Sequence, residues 1–296
     1  MKIGFVGLGI MGKPMAKNLL KAGYEVVAYD IVGEALEEVV SEGAESGESP
    51  KDVAQKTTLI ITMLPDGPDV EKVVLGTNGV LEGAQSGSVI IDMSSISPIV
   101  AKNVYSECKK KGIELLDAPV SGGEPGAISG TLAIMVGGSK TVFDKYLPVM
   151  EVLGKSVVLA GDIGAGNITK LANQIMVAVN IAGMGEALVL AAKAGVDPSV
   201  VFEAVRGGLA GSSVLEAKGP MVLDGNFKPG FRIRLHQKDL NNALITAKEL
   251  GVTVPLTGLV QQMITSLVNS GNLDNDHSAI VRFIEELSGT EARRFK

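Results

Sequence analysis

Short apolar runs of four to six residues recur through the first 160 positions, and the stretches between them carry apolar residues at helical spacing. The runs Ile3–Val6, Glu25–Tyr29, Leu59–Leu64, Val89–Met93, Ile113–Asp117, Leu132–Val136 and Ser156–Leu159 read as strands. Helices such as Lys13–Ala22 and Ile99–Lys111 separate them. That alternation is the signature of βαβ units and a mostly parallel sheet. After Gly161 the strand pattern stops and every segment reads as helix. Asn167–Ala194 would form one helix of 28 residues, about 42 Å long at 1.5 Å per residue, enough to bridge two domains. Shorter helices open at Asp197-Pro198, run through Lys238–Leu250 to a stop at Gly251, and open again at Asp276. The pattern predicts an α/β domain over residues 1–162 and an all-α substrate and oligomerisation domain over 163–296, joined by the long helix. No fixed-period repeat is present, which excludes a solenoid.

At 296 residues the chain holds one large or two ordinary domains. Its charge balance, 27 − 33 = −6, repels nucleic-acid phosphates and anionic lipid, so neither partner is expected. Lys109-Lys110-Lys111-Gly112 is no exception, because cations in a last helical turn before a C′ glycine complement the macrodipole and solvate a surface. One cysteine, Cys108, excludes an internal disulfide, and with two histidines it cannot assemble a Cys/His zinc site. No metal is expected, and a reducing, cytoplasmic location fits. The N-terminus enters a strand at once without an apolar leader, so no export is expected. The uncharged run Leu171–Gly185 has 15 residues and contains Asn173, Gln174 and Asn180, which reads as a buried helix rather than a span of about 20 apolar residues. The 37 glycines are spread through ordered motifs, and Met11 and Met15 read as core fillers.

Gly7-Leu8-Gly9-Ile10-Met11-Gly12 is a G-x-G-x-x-G that follows the first strand directly and opens a helix, and Asp30 ends the next strand 18 positions after Gly12. Together these features predict a Rossmann-type dinucleotide-binding domain. The first glycine makes the turn, the second admits a pyrophosphate, and the helix N-terminus offers free N–H groups to it. Asp30 suits a ribose 2′-hydroxyl and repels a 2′-phosphate, and Ile31 and Val32 supply no basic replacement. NAD is therefore expected, with NADH favoured over NADPH.

Ser121-Gly122-Gly123 offers a hydroxyl and flexible N–H groups to a carboxylate, or is simply a glycine turn between strands. Lys170, placed in the first turn of the long helix with Asn173 on the same face, is either a snorkelling surface lysine or a cation misplaced at a helix N-terminus for function. His277, just after Asp276, suits a capping or surface role, and His236 suits a place in the pocket.

Four blocks in order, Gly7–Leu20 (GLGIMGKPMAKNLL), Asp117–Gly123 (DAPVSGG), Gly164–Asn173 (GAGNITKLAN) and Lys238–Leu244 (KDLNNAL), resemble the β-hydroxyacid dehydrogenase family over essentially the whole chain. The resemblance implies reduction of a small carboxylate-bearing aldehyde with Lys170 as general acid. It gives Asn173 the substrate, and Ser121, Gly122 and Gly123 its carboxylate. Leu64, Pro65, Asp69 and Ser95 would line the cofactor and Lys238 would reach it from the second domain. Asp69 stands where one branch of the family often has asparagine. The resemblance also implies a homodimer or homotetramer. The polar pair His236-Gln237 before the KDL motif suggests a pocket that rewards a substrate hydroxyl. A catalytically silent nicotinamide sensor would be expected to lack the lysine or the SGG loop, and both are present.

Overall fold

The computed structural model describes residues 1–295. They form two compact units, Met1–Lys170 and the remainder from Leu171.

In the first unit nine strands make one sheet: β1 (Lys2–Val6), β2 (Glu25–Tyr29), β3 (Glu45–Ser46), β4 (Leu59–Thr62), β5 (Val89–Asp92), β6 (Glu114–Asp117), β7 (Val120–Ser121), β8 (Leu132–Gly137) and β9 (Gly154–Gly161). The order is β3-β2-β1-β4-β5-β6-β8-β7, with β9 on β8. The ladders from β3 through β6 are parallel, whereas β8 runs antiparallel to β6 and β7 and parallel to β9. All seven expected strands form. The two additional ones, β3 and β7, have two residues each and owe their strand geometry to neighbours rather than to an apolar run.

Eight helices connect the strands: α1 (Gly12–Lys21), α2 (Gly33–Val40), α3 (Pro50–Lys56), α4 (Gly67–Leu75), α5 (Val80–Gly83), α6 (Pro98–Lys110), α7 (Gly123–Ser129) and α8 (Lys140–Leu153). The central strands are buried along their length: Ile60, Ile61, Ile90 and Ile91 are fully enclosed, as expected of a parallel sheet covered on both faces. Met15 and Leu19 of α1 pack with Ile3 and Phe5 of β1 in one core cluster. Chain direction across the sheet reverses between β1 and β4, because β2 and β3 lie to one side of β1 and β4 to β6 lie to the other. The turns after β1 and β4 therefore flank a topological switch point, where open α/β sheets bind ligands.

Helix α9 (Ala165–Lys193) starts at the end of the first unit and continues as the first element of the second. It is followed by α10 (Pro198–Arg206), α11 (Ser213–Leu223), α12 (Ile233–Leu250), α13 (Pro255–Asn269), a 3₁₀ turn at His277–Ala279 and α14 (Ile280–Ser288). Asp197 and Asp276 cap the elements they precede, as expected, each accepting an N–H two residues on. α12 begins five residues earlier than its KDL block suggested. By length and composition α9 is apolar enough to cross a membrane, with mean hydropathy 1.9 over an 18-residue stretch of which 39% is buried. That differs from the expectation drawn from Leu171–Gly185, because the apolar character continues past Glu186. A second core cluster joins Ile181, Leu188 and Val189 of α9 to Phe202, Leu240, Ile264 and Ile280.

Candidate active site

The turn after β1 is shaped by its glycines. Gly7 adopts φ +98°, and a Cβ there would strike the Met63 carbonyl beside it. At Gly12 a Cβ would collide with the Gly7 carbonyl, so the helix can start tightly under the turn only as glycine. Gly9 is different: it is exposed, and a Cβ there would meet no protein atom. Packing does not require glycine at that position, whereas a pyrophosphate lying against the backbone does. Leu8, Gly9, Ile10, Asp30 and Val32 line a groove of about 700 Å³. The residues present therefore fit a dinucleotide. Asp30 Oδ2 accepts the Leu8 N–H at 2.5 Å and Oδ1 accepts the Val32 N–H at 2.8 Å. Two of about four acceptor sites on the carboxylate remain for ribose hydroxyls.

Leu64 and Pro65 follow β4, Asp69 lies in the first turn of α4, and Ser95 follows β5. The Leu64 N–H donates to Ser94 Oγ at 2.9 Å, and that hydroxyl donates to Asp92 Oδ1 at 2.6 Å, which Thr62 Oγ1 also reaches at 2.8 Å. A buried carboxylate thus holds the β4 turn in place. Burial pushes the Asp92 carboxyl up to about 6, and its Oδ2 has no hydrogen-bond partner among the described residues.

Ser121 ends β7, and Gly122 and Gly123 take φ +136° and +60° as the chain turns into α7. Both conformations favour glycine, and the turn exposes its backbone beside a half-buried serine.

α9 opens against the sheet. Asp117, at the end of β6, accepts the N–H groups of Gly164 and Asn167, both at 2.7 Å, and the Asn167 amide at 3.3 Å. Asn167 Oδ1 in turn accepts the Ile96 N–H at 3.0 Å. A carboxylate at a helix N-terminus satisfies orphan donors and complements the macrodipole. A Cβ at Gly166 would strike the carbonyls of Asp117 and Met135, so glycine permits this close approach. Burial raises the Asp117 carboxyl to about 6 despite those donors.

Lys170 is buried, at 6% exposure, which rules out a snorkelling surface lysine. The helix begins at Ala165, so Lys170 lies in its second turn rather than its first. The macrodipole, which fades within the first turn, is therefore a weaker influence on it than the sequence suggested. Asn173, half-buried, follows three residues on along the same face.

In the second unit Asn173 Nδ2 donates to Gln174 Oε1 at 2.8 Å, and Gln174 Nε2 donates to Asp239 Oδ2 at 2.5 Å. The Lys238 ammonium is 3.3 Å from Asp239 Oδ1. His236 is completely buried, with Nε2 3.2 Å from the Gln174 carbonyl and Nδ1 2.9 Å from Nδ1 of His277. Both nitrogens thus serve the protein, and His236 does not line a pocket with a polar edge as expected. His277 is buried as well, not on the surface. Sequence reasoning missed the supporting residues Asp92, Asp117, Asn167, Gln174 and Asp239. Asp117, Asn167 and Asp239 lie inside the DAPVSGG, GAGNITKLAN and KDLNNAL blocks, so a signal for them was present.

A glycine-shaped turn at a topological switch point, with an acidic residue at the end of the next strand, defines a Rossmann-type dinucleotide-binding domain. Residues 2–161 match the family described as the NAD binding domain of 6-phosphogluconate dehydrogenase, and residues 164–284 match the one described as NAD-binding of NADP-dependent 3-hydroxyisobutyrate dehydrogenase. The chain belongs to the β-hydroxyacid dehydrogenase family. It is similar to 2-hydroxy-3-oxopropionate reductase of Escherichia coli, 47% identical over 285 residues, covering 96% of this chain and 97% of the relative. With 2-(hydroxymethyl)glutarate dehydrogenase of Eubacterium barkeri it shares 42% identity over 289 residues, 97% and 96% of the two chains. The solved structure of Mycobacterium tuberculosis 3-hydroxyisobutyrate dehydrogenase with L-serine superposes with a TM-score of 0.89 at 32% identity, covering 96% and 98%.

Proposed function

We propose that the protein reduces 2-hydroxy-3-oxopropanoate (tartronate semialdehyde) to glycerate with NADH. The observation that carries the substrate is the 47% identity, end to end, with 2-hydroxy-3-oxopropionate reductase. Gly207–Ser212 (GGLAGS) and Phe227–Lys238 (FKPGFRIRLHQK) also resemble reductases of that kind.

When bound, a reduced nicotinamide would supply a hydride to the aldehyde carbon. Negative charge then grows on the carbonyl oxygen, and the Lys170 ammonium both stabilises it and transfers a proton to it. The neutral amine regains its proton from solvent. Ser121 and the N–H groups of Gly122 and Gly123 would hold the substrate carboxylate, and Asn173 would hold the substrate. Asp30 would select NADH because a 2′-phosphate would meet it as a like charge, and the family resemblance gives Leu64, Pro65, Asp69, Ser95 and Lys238 to the cofactor.

A second reading, 3-hydroxyisobutyrate dehydrogenase, is favoured by one observation: His236 turns both nitrogens inward, which removes one of two polar groups expected to reward the hydroxyl. Turnover of tartronate, methylmalonate and succinate semialdehydes with each reduced cofactor separates the two. Tartronate semialdehyde should exceed methylmalonate semialdehyde in kcat/KM by more than roughly 10²-fold, beyond what an apolar pocket achieves. NADH should exceed NADPH, and Asp30→Ser should narrow that gap. Equal or reversed substrate values contradict the tartronate reading, and a wild-type preference for NADPH contradicts the role of Asp30.

A further inference from the structure

The chain has only two histidines, and they meet. His236 lies on α12 and His277 on the 3₁₀ turn 41 positions later, both buried, with Nδ1 facing Nδ1 at 2.9 Å. Phe231 sets its ring edge-on to both imidazoles, with centroids 5.8 and 5.1 Å away. The backbone of the turn is fixed independently, since the His277 N–H donates to the Phe231 carbonyl at 2.8 Å and Asp276 accepts from Gly230, Phe231 and Ser278.

The proton count follows from the partners. The Gln174 carbonyl can only accept, and its helix uses one lone pair, so His236 Nε2 must carry a proton and donate to the other. Two Nδ1 atoms in hydrogen-bond contact need one proton between them. In the neutral pair His236 Nδ1 is therefore the acceptor and His277 Nδ1–H the donor. One added proton is tolerated, because either ring can be the cation with a single N–H still bridging. A second added proton places N–H against N–H and breaks the contact.

We propose that His236 and His277 are positioning residues, a one-proton imidazole pair that ties α12 to the Gln174 backbone of α9 and so holds Asn173 and Lys238 in their working arrangement. The assignment rests on the reductase reading for what Asn173 and Lys238 do. Gln174 is the junction: its carbonyl receives His236, its side-chain oxygen receives Asn173, and its amide reaches Asp239, whose other oxygen faces Lys238. The charged groups set near the pair are Asp276 with Lys218 of α11, 3.0 Å apart, and Asp239 with Lys238 one turn along α12. α9 presents the uncharged Gln174. Arg282 and Glu285 of α14 are turned to Asn272 and Arg293. Asp276, held down at about 2 against the opposing effect of burial by the charges of His277 and Lys218, stays anionic and favours the singly charged pair.

Two measurements on the untagged full-length protein test this. ¹⁵N imidazole correlation spectra at pH 8 contain two rings, and should show His236 protonated at Nε2 and His277 at Nδ1. Both rings protonated only at Nε2 would overturn the pair, whatever the substrate proves to be. In kinetics, KM for tartronate semialdehyde should rise about 3- to 10-fold between pH 8.0 and the lower pH at which the same spectra show both rings doubly protonated, the scale of one hydrogen bond, with kcat changing less. His277→Asn keeps a donor near the Nδ1 position but cannot titrate, so its KM ratio between the two pH values should fall below about 2. Asp92 and Asp117 also titrate near 6 but are common to both proteins. An unaltered KM ratio in His277→Asn overturns the proposal. If no semialdehyde is turned over, the reductase reading fails while the spectra still decide the pair.

Discussion

Asp92 illustrates how a single buried group links stability to pH. Its carboxylate anchors Thr62 and Ser94, yet burial raises it to about 6, and Asp117 on the neighbouring strand adds like charge. The folded state thus retains a proton that the unfolded chain releases near 3.8. Because the native state binds more protons between those values, stability falls as pH rises through about 4 to 6 and is level above. Asp92→Asn keeps an acceptor for Thr62 and Ser94 and cannot ionise. The variant should be more stable than wild type at pH 7.5, by on the order of 1–3 kcal/mol, with the difference vanishing by pH 4. Thermal melts across that range check the sign, and a variant less stable at pH 7.5 than at pH 4, relative to wild type, would refute it. Residue-scale features of this kind were only partly legible. Gly7, Gly9, Gly12 and Asp30 announce themselves by spacing, whereas the His236–His277 contact joins positions 41 apart through tertiary folding that no local pattern encodes.

Among the elements, α9 shows where local reading succeeds and where it stops. Its existence and length followed from sustained apolar character, 28 residues expected and 29 found. Its start did not, because the group that satisfies its first N–H donors is Asp117, 47 and 50 positions upstream of Gly164 and Asn167. A helix capped from a distant strand carries no Ser/Thr/Asp signal at its own first turn, so the boundary was placed two residues late and Lys170 one turn early. The long buried strands were legible because parallel strands covered on both faces read as continuous apolar runs. β3 and β7, two residues each, carry no such run.

At the scale of the whole molecule, α9 belongs to both units by chain continuity, and part of its apolar surface stays open in the isolated chain. Met176 is 66% and Leu190 71% exposed, and Ile175, Met176, Val179 and Leu256 border an apolar groove of about 640 Å³ in the second unit. The residues lining this groove include Asn180 and Gly183 and no charged side chain, and such patches mark association surfaces. Self-association through it should appear in sedimentation velocity as a dimer or tetramer, and Met176→Glu should shift it toward monomer. A monomeric wild type at micromolar concentration contradicts this.

In the proposed reaction the first unit's glycine turn binds the dinucleotide while Lys170 delivers the proton, so the two functions should separate in one comparison of kcat with NADH Kd. Lys170→Met keeps the side-chain length and removes the ammonium, and should lower kcat by roughly 10²–10⁴-fold, the contribution of a positioned acid. NADH Kd should stay within about threefold of wild type, a change of less than 1 kcal/mol. Lys170→Arg restores charge but not an available proton and should remain impaired. A Lys170→Met enzyme with near wild-type kcat and intact NADH binding would remove Lys170 as the proton donor.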